Sequence, residues 1–295
     1  MKVDNGCLSH SHNYQTYTMN IFDTTAFKSS RLITRHFSPS FSLWISLMPR
    51  RFRYPIYAIF GLVRYTKEIA NTFHAYDRQT LLKRFEQETY QAIDDKNSLN
   101  PVLHAFQLVV HQYDIESDLI ASLFHCVKMN LRHQTYDERG YQKIIYGTGE
   151  IVALMCLQVF CEGNPYQYNQ LKKAARSLGA AIQKVSFLRD MCTDDEVSKW
   201  LCHQDVDMAH FISVSKQTME QDIRDDFADA YPGILQVPSG ARIGVYLAYK
   251  YYVQLLKEIE SSSVETISQR RVDISDYRKI DLLISTFFRT RINYL

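Results

Sequence analysis

Apolar residues recur along most of this chain at steps of three and four, the period that gathers them on one face of an α-helix. Leu171, Ala175, Leu178, Ile182 and Val185 follow a 4-3-4-3 step, and Ile243, Leu247, Tyr251 and Leu255 return every fourth position. Strand-like alternation is hardly visible. Prolines stand at 39, 49, 55, 101, 165, 232 and 238, so 102–164 and 166–231 are free of them and predict long helices. NSLNP at 97–101, EGNP at 162–165 and YPGILQVPSG at 231–240 predict turns between helices. No repeat or shift in composition marks a second unit. The expectation is a single-domain, all-α helical bundle of eight or more helices.

Composition narrows the class. At 295 residues, the chain is long enough to bury a core without a metal or disulfide staple. Hydrophobic residues make up 46% and charged residues 22%, with only 10 glycines and 7 prolines, which excludes collagen-like, low-complexity and disordered classes. Thirty-four basic residues against 32 acidic ones leave a net charge of +2, so no global field draws the chain to nucleic acid or to an acidic membrane. Any anion it takes must be held locally. Six cysteines, at 7, 126, 156, 161, 192 and 202, form no Cys-x-x-Cys and read as reduced thiols of a cytoplasmic protein. The first 18 residues are polar and lack the apolar core of a secretory signal, so 1–18 read as a disordered or over-called extension and 19–295 as the domain. The most apolar stretch, Ile144 to Cys161, carries Glu150 and two glycines and is short for a membrane span.

Two helical stripes could carry chemistry. Gln183, Phe187, Asp190 and Asp194 are spaced 4, 3, 4 and share one face, which sets two carboxylates one turn apart. Such a pair can hold a hard cation through oxygen ligands, Mg²⁺ above all, although acidic pairs at this spacing are more often a solvated face. Arg189 beside them either meets a phosphate or meets water. Phe60, Arg64, Lys67 and Asn71 repeat the same step, as expected either of a pocket with an apolar body and ionic mouth or of an ordinary amphipathic helix. Ten histidines show no metal spacing, and no phosphate loop or Gly-x-Ser-x-Gly is present. The tyrosines of YLAYKYY (246–252) fit a packed core, with one or two available to line a tunnel, and QRRVDISDYRK (269–279) reads as solvated surface with room for peripheral membrane contact.

Four blocks, SPSFSLWISLMP (38–49), RYPIYAIFGLVR (53–64), LGAAIQKVSFLRDMCTDD (178–195) and ARIGVYLAYKYYVQLLK (241–257), occur in an order that resembles the squalene/phytoene synthase family, especially its bacterial phytoene-synthase branch. The resemblance runs from about Met19 to the C-terminus. It implies a helical bundle of the isoprenoid synthase type around a central apolar cavity. Two Asp-x-x-x-Asp motifs would face each other at its mouth and hold Mg²⁺ against diphosphate. It assigns metal binding to Asp190 and Asp194. It assigns substrate binding to Ser40, Phe41, Ser42, Tyr57, Arg64, Lys67, Glu68, Asn71, Tyr146, Gln183 and Arg189, and names no catalytic residue.

The departures from the family pattern gather around the chemistry. Where the first motif would have aspartates this chain has Lys67 and Asn71, with only Glu68 between them, so two negative charges become one positive. Asn130 replaces an acidic position in KMNLR, Ile144 replaces a tyrosine near Tyr146, Ser186 replaces an asparagine, and Trp200 and Cys202 stand for an arginine and a tyrosine. The resemblance therefore implies a phytoene/squalene synthase-like prenyltransferase whose head-to-head condensation of two geranylgeranyl diphosphates is impaired. It would hold fewer Mg²⁺ ions than usual, or none. The alternative is a non-catalytic paralogue that binds a prenyl diphosphate or lipid, or a partner of an active synthase. Prenyl diphosphates are the expected ligands, with no nucleic acid. The expected location is the cytoplasm or the inner membrane face.

Overall fold

The computed structural model describes residues 19–132, 145–190 and 208–291. Helix starts follow local capping chemistry. Asn20 caps α1 (Ile21–Phe37) by accepting from the Asp23 amide at 2.8 Å while the Asp23 carboxylate accepts from the Asn20 amide at 3.0 Å. Proline opens α2 (Pro39–Ser46), and Asn100 followed by Pro101 opens α5 (Pro101–Tyr113). Asp23 also takes a hydrogen bond from buried His104 on α5, Nε2 to Oδ1 at 2.8 Å, which pins α1 to α5. The His104 Nδ1 accepts from the Ser98 amide at 3.3 Å, so the ring proton sits on Nε2.

α3 (Arg50–Asn71) runs through the middle, packed by α1, α4 (Arg78–Asp94), α5 and α6 (Ser117–Arg132). A π-helical turn (Tyr146–Glu150) leads into α7 (Ile151–Phe160), which lies on α3 and on α8 (Pro165–Asp190). α8 in turn packs on α9 (Met208–Ile234), and α10 (Ser239–Glu260) closes the bundle against α2, α8, α9 and α12 (Asp276–Arg291), with the short α11 (Val264–Gln269) between. Two apolar cores result. One gathers Phe52, Ile56, Leu82, Phe106 and Phe124 around α3, and the other gathers Val185, Leu188, Phe227, Leu255 and Ile259 around α10. Among the described residues there is no strand, and no helix is long and apolar enough to cross a membrane.

Two expectations change. The proline-free stretch 102–164 is broken at Asp114, whose φ of 52° is left-handed and ends α5. The expected turn at 231–240 begins later, because α9 continues through Pro232 to Ile234. Packing overrides the proline there: Gly233 lies so near α8 that a Cβ on it would fall 2.2 Å from that of Ala174.

Candidate functional site

Between the two cores lies a cavity of about 820 Å³. Its lining runs along α3 from Ile56 to Asn71 and along α8 from Leu171 to Asp190, lengths of about 22 Å and about 28 Å at the helical rise. The deep end is apolar, with Ile56, Leu157, Phe160, Leu171 and Val237. Ala175, Leu178 and Ile182 of the α8 stripe are only half-buried because they border this space. A π-helical turn, which widens the helix by one residue, brings Thr148 and Gly149 to the wall.

The structure brings the two polar stripes to one place. Phe60, Arg64, Lys67 and Asn71 of α3 border the cavity, as do Gln183, Phe187 and Asp190 of α8, together with Arg189, Ser40 and Phe41. Four residues assigned by resemblance do not border it. Tyr57 is fully buried and donates to the Ser42 carbonyl at 2.9 Å, with the Ser42 hydroxyl 3.1 Å away, so this pair fixes α2 against α3 from behind the wall. Glu68 pairs with Arg64 one turn earlier and accepts from Thr72 Oγ1 at 2.6 Å. Tyr146 turns its ring to Arg176, whose guanidinium carbon lies 5.7 Å from the centroid. Asp194, Trp200 and Cys202 lie outside the described residues, as does the side chain of Asn130.

Asp190 is held by two arginines. Arg189 Nε donates to its Oδ1 and Arg189 Nη2 to its Oδ2, both at 2.8 Å, and Arg271 Nε stands 3.1 Å from Oδ1. Burial works against the charge of Arg189, but the hydrogen bonds and negative charge of Asp190 outweigh it and hold this guanidinium above its ordinary pKa. Burial also pushes the Tyr251 phenol up to about 12. It remains a donor, bonding Asp273 Oδ1 at 3.2 Å.

Most of 269–279 is solvent-exposed, as expected of solvated surface, and Arg271, Asp273 and Lys279 of this segment also border the cavity. The cause is local. Residues 271–275 are not helical, and Val272 and Ile274 are buried, so the alternation of an extended chain turns Arg271 and Asp273 the other way. That alternation, Arg-Val-Asp-Ile, was the available signal. Trp44 and Tyr252 also line the wall without having been singled out as site residues.

Among the described residues the charged lining comprises Arg64, Lys67, Arg189, Arg271 and Lys279 on the basic side and Asp190 and Asp273 on the acidic side. A hard cation such as Mg²⁺ needs converging oxygen ligands. Among the described residues no three His, Cys, Asp or Glu side chains converge on a metal position, both oxygens of Asp190 already accept from guanidinium groups, and Lys67 and Asn71 occupy the α3 wall. Of the Asp-x-x-x-Asp pair only Asp190 is among the described residues, because Asp194 lies outside them.

Helices wrapped around one long apolar cavity with an ionic mouth define the isoprenoid synthase class. The chain belongs to the squalene/phytoene synthase family, whose profile matches residues 34–278. It is similar in structure to a dehydrosqualene synthase in complex with ligand, with a TM-score of 0.77 at 16% identity, covering 91% of this chain and 98% of that one. It is likewise similar to squalene synthase HpnC from Alicyclobacillus acidocaldarius, with a TM-score of 0.67, 16% identity, and coverage of 82% and 95%. YisP from Bacillus subtilis subsp. subtilis strain 168 gives a TM-score of 0.67 at 16% identity, with coverage of 89% and 96%. No curated protein matches the chain.

Proposed function

We propose that the protein binds a prenyl diphosphate, with the isoprenoid tail in the cavity and the anionic head at the basic mouth. On this reading, head-to-head condensation of two such molecules is impaired. One observation carries the reading: an apolar tunnel opens between Asp190 and a facing helix that presents Lys67 and Asn71. The cavity volume of about 820 Å³ falls within the roughly 300–1,000 Å³ typical of a site for one small ligand.

Condensation requires two diphosphates and charge stabilisation on the one that leaves. Each pre-organised contact to developing charge is worth about 3–4 kcal/mol, so losing a pair of metal ligands costs many orders of magnitude in rate. Lys67 supplies a positive charge for binding but no ligand for an ion. The tail's affinity for lipid accords with peripheral membrane contact beside the mouth, where exposed Tyr277, Ile280 and Ile284 share one face of α12.

Labelled geranylgeranyl diphosphate incubated with the purified full chain and Mg²⁺ tests the proposal. The expected result is saturable binding with little or no forty-carbon hydrocarbon. Rapid formation of that hydrocarbon would overturn the impairment, and absence of binding would overturn the ligand class.

A further inference from the structure

We propose that the protein docks on an anionic lipid bilayer through the outer face of α1 and α2. The net charge of +2 hides a segregation: from Thr24 to Lys67 the chain carries eight lysines and arginines and no aspartate or glutamate, which leaves the rest of it at −6. On α1, Leu32 is 68% exposed and stands within one turn of Lys28, Arg35 and His36, all of them exposed. No carboxylate of α1 answers these cations, because its one acidic residue, Asp23, is buried against His104. Leu43 and Leu47 follow one turn apart at the end of α2, again exposed, and exposed Arg50 opens α3 three residues on.

The face adjoins the cavity without lining it. Thr34, Phe37, Pro39 and Phe41 of the same two helices border the cavity, whereas Lys28, Arg31, Leu32, Arg35, Leu43 and Leu47 do not. Apolar side chains that interrupt a basic helix face suit the surface of a bilayer, where aliphatic groups enter the acyl boundary and cations meet phosphate head groups. An acidic protein would be better met by a contiguous apolar centre inside a charged rim. Here Leu32 stands singly among the cations of α1. The choice of a bilayer also rests on the prenyl-diphosphate reading, because an isoprenoid tail dissolved in lipid reaches a cavity held at the lipid surface without crossing water.

Co-sedimentation of the purified full chain with phosphatidylcholine vesicles, with and without phosphatidylglycerol, at low and high salt, tests this face. The wild type is compared with the double variant Arg31→Gln, Arg35→Gln, with Leu32→Ser, and with the α12 double variant Tyr277→Ser, Ile280→Ser. Thermal melting checks that each folds, and titration with a non-hydrolysable geranylgeranyl thiolodiphosphate in vesicle-free buffer reads the cavity separately. The expected result is binding that requires the anionic lipid and weakens with salt, a loss of about tenfold or more in the double arginine variant, and a smaller loss in Leu32→Ser. Both α1 variants should take up the analogue as the wild type does. Equal binding to neutral vesicles, undiminished binding by the folded arginine variant, or a loss confined to the α12 variant overturns the inference. A wild-type chain that takes up the analogue but binds neither vesicle overturns it too and leaves the prenyl-diphosphate reading standing. Docking on anionic vesicles without uptake of the analogue supports the face and overturns that reading alone.

Discussion

Gly149 and Gly179 meet backbone to backbone: a Cβ on Gly149 would stand 2.5 Å from the Gly179 carbonyl oxygen, and one on Gly179 would stand 2.5 Å from that of Gly149. The π-helical turn presses on α8 at this contact, and both glycines border the cavity. No side chain fits between them without moving a helix. Gly179→Ala should therefore cost about 1–3 kcal/mol or more through overpacking, and a lower thermal midpoint together with weakened prenyl-diphosphate binding is the expected outcome. A variant that melts with the wild type would show that the helices separate freely here.

Lys184 tests how α9 is fastened to α8. Its side chain is 6% exposed and its ammonium reaches Asp222 at 2.5 Å and Asp226 at 2.7 Å. Burial opposes the charge, but the two carboxylate hydrogen bonds and their negative charge outweigh it and raise the lysine pKa above 10.5. A base whose folded pKa is raised contributes stability that is fully present below its unfolded pKa and is lost as pH rises through the folded value. Lys184→Met strands two carboxylates. Asp222 is half-exposed, so the cost should lie near or below the lower limit of about 3 kcal/mol for breaking a buried pair. Urea denaturation should show that deficit at neutral pH and a smaller one above pH 10.5; a constant deficit would place the effect in packing.

Long periodic segments were legible in the sequence because a helix needs only an apolar stripe and a cap, and 165–190 and 239–260 supply both. The convergence of Phe60, Arg64, Lys67 and Asn71 with Gln183, Phe187 and Asp190 could be anticipated for the same reason, since equal spacing makes each stripe a single face. Arg271 was harder to place: the Arg-Val-Asp-Ile alternation sets it opposite buried Val272 and Ile274 but does not say that the exposed side of this segment borders the cavity. Tyr57 was assigned by resemblance alone, which does not say whether a phenol faces the cavity or the helix behind it. The engagement of Asp190 by Arg271, 81 positions later, needs the fold.

Asp190→Asn separates two roles for this residue. Asparagine keeps the shape and removes the charge, so Arg189 and Arg271 lose the partner they share. Folding stability should fall by about 1 kcal/mol for the weakened, part-buried hydrogen bonds. Pyrophosphate binding in EDTA should tighten several-fold, since the anion no longer competes with a carboxylate for the same guanidinium donors. Titration with pyrophosphate reads this directly. A metal ligand would behave in the reverse manner, and weakened binding confined to Mg²⁺-containing buffer would return Asp190 to that role.

Ala175 reports on how far a tail reaches. It lies on the cavity lining one turn from Leu171 and, by helical rise, about 22 Å along α8 from Asp190. Ala175→Trp would fill the deep end and leave the mouth untouched. A geranylgeranyl chain must then give up buried methylene groups, and at about 0.8 kcal/mol each the displacement of two already exceeds a tenfold loss of affinity. A geranyl chain half as long stops short of the indole and should bind as before. Equal losses for the two thiolodiphosphates would mean that the substitution acts through the mouth or through stability. Unchanged affinity for both would place the tail outside this tunnel, because a ligand that threads past Leu178 and Ile182 cannot avoid a tryptophan at the next turn.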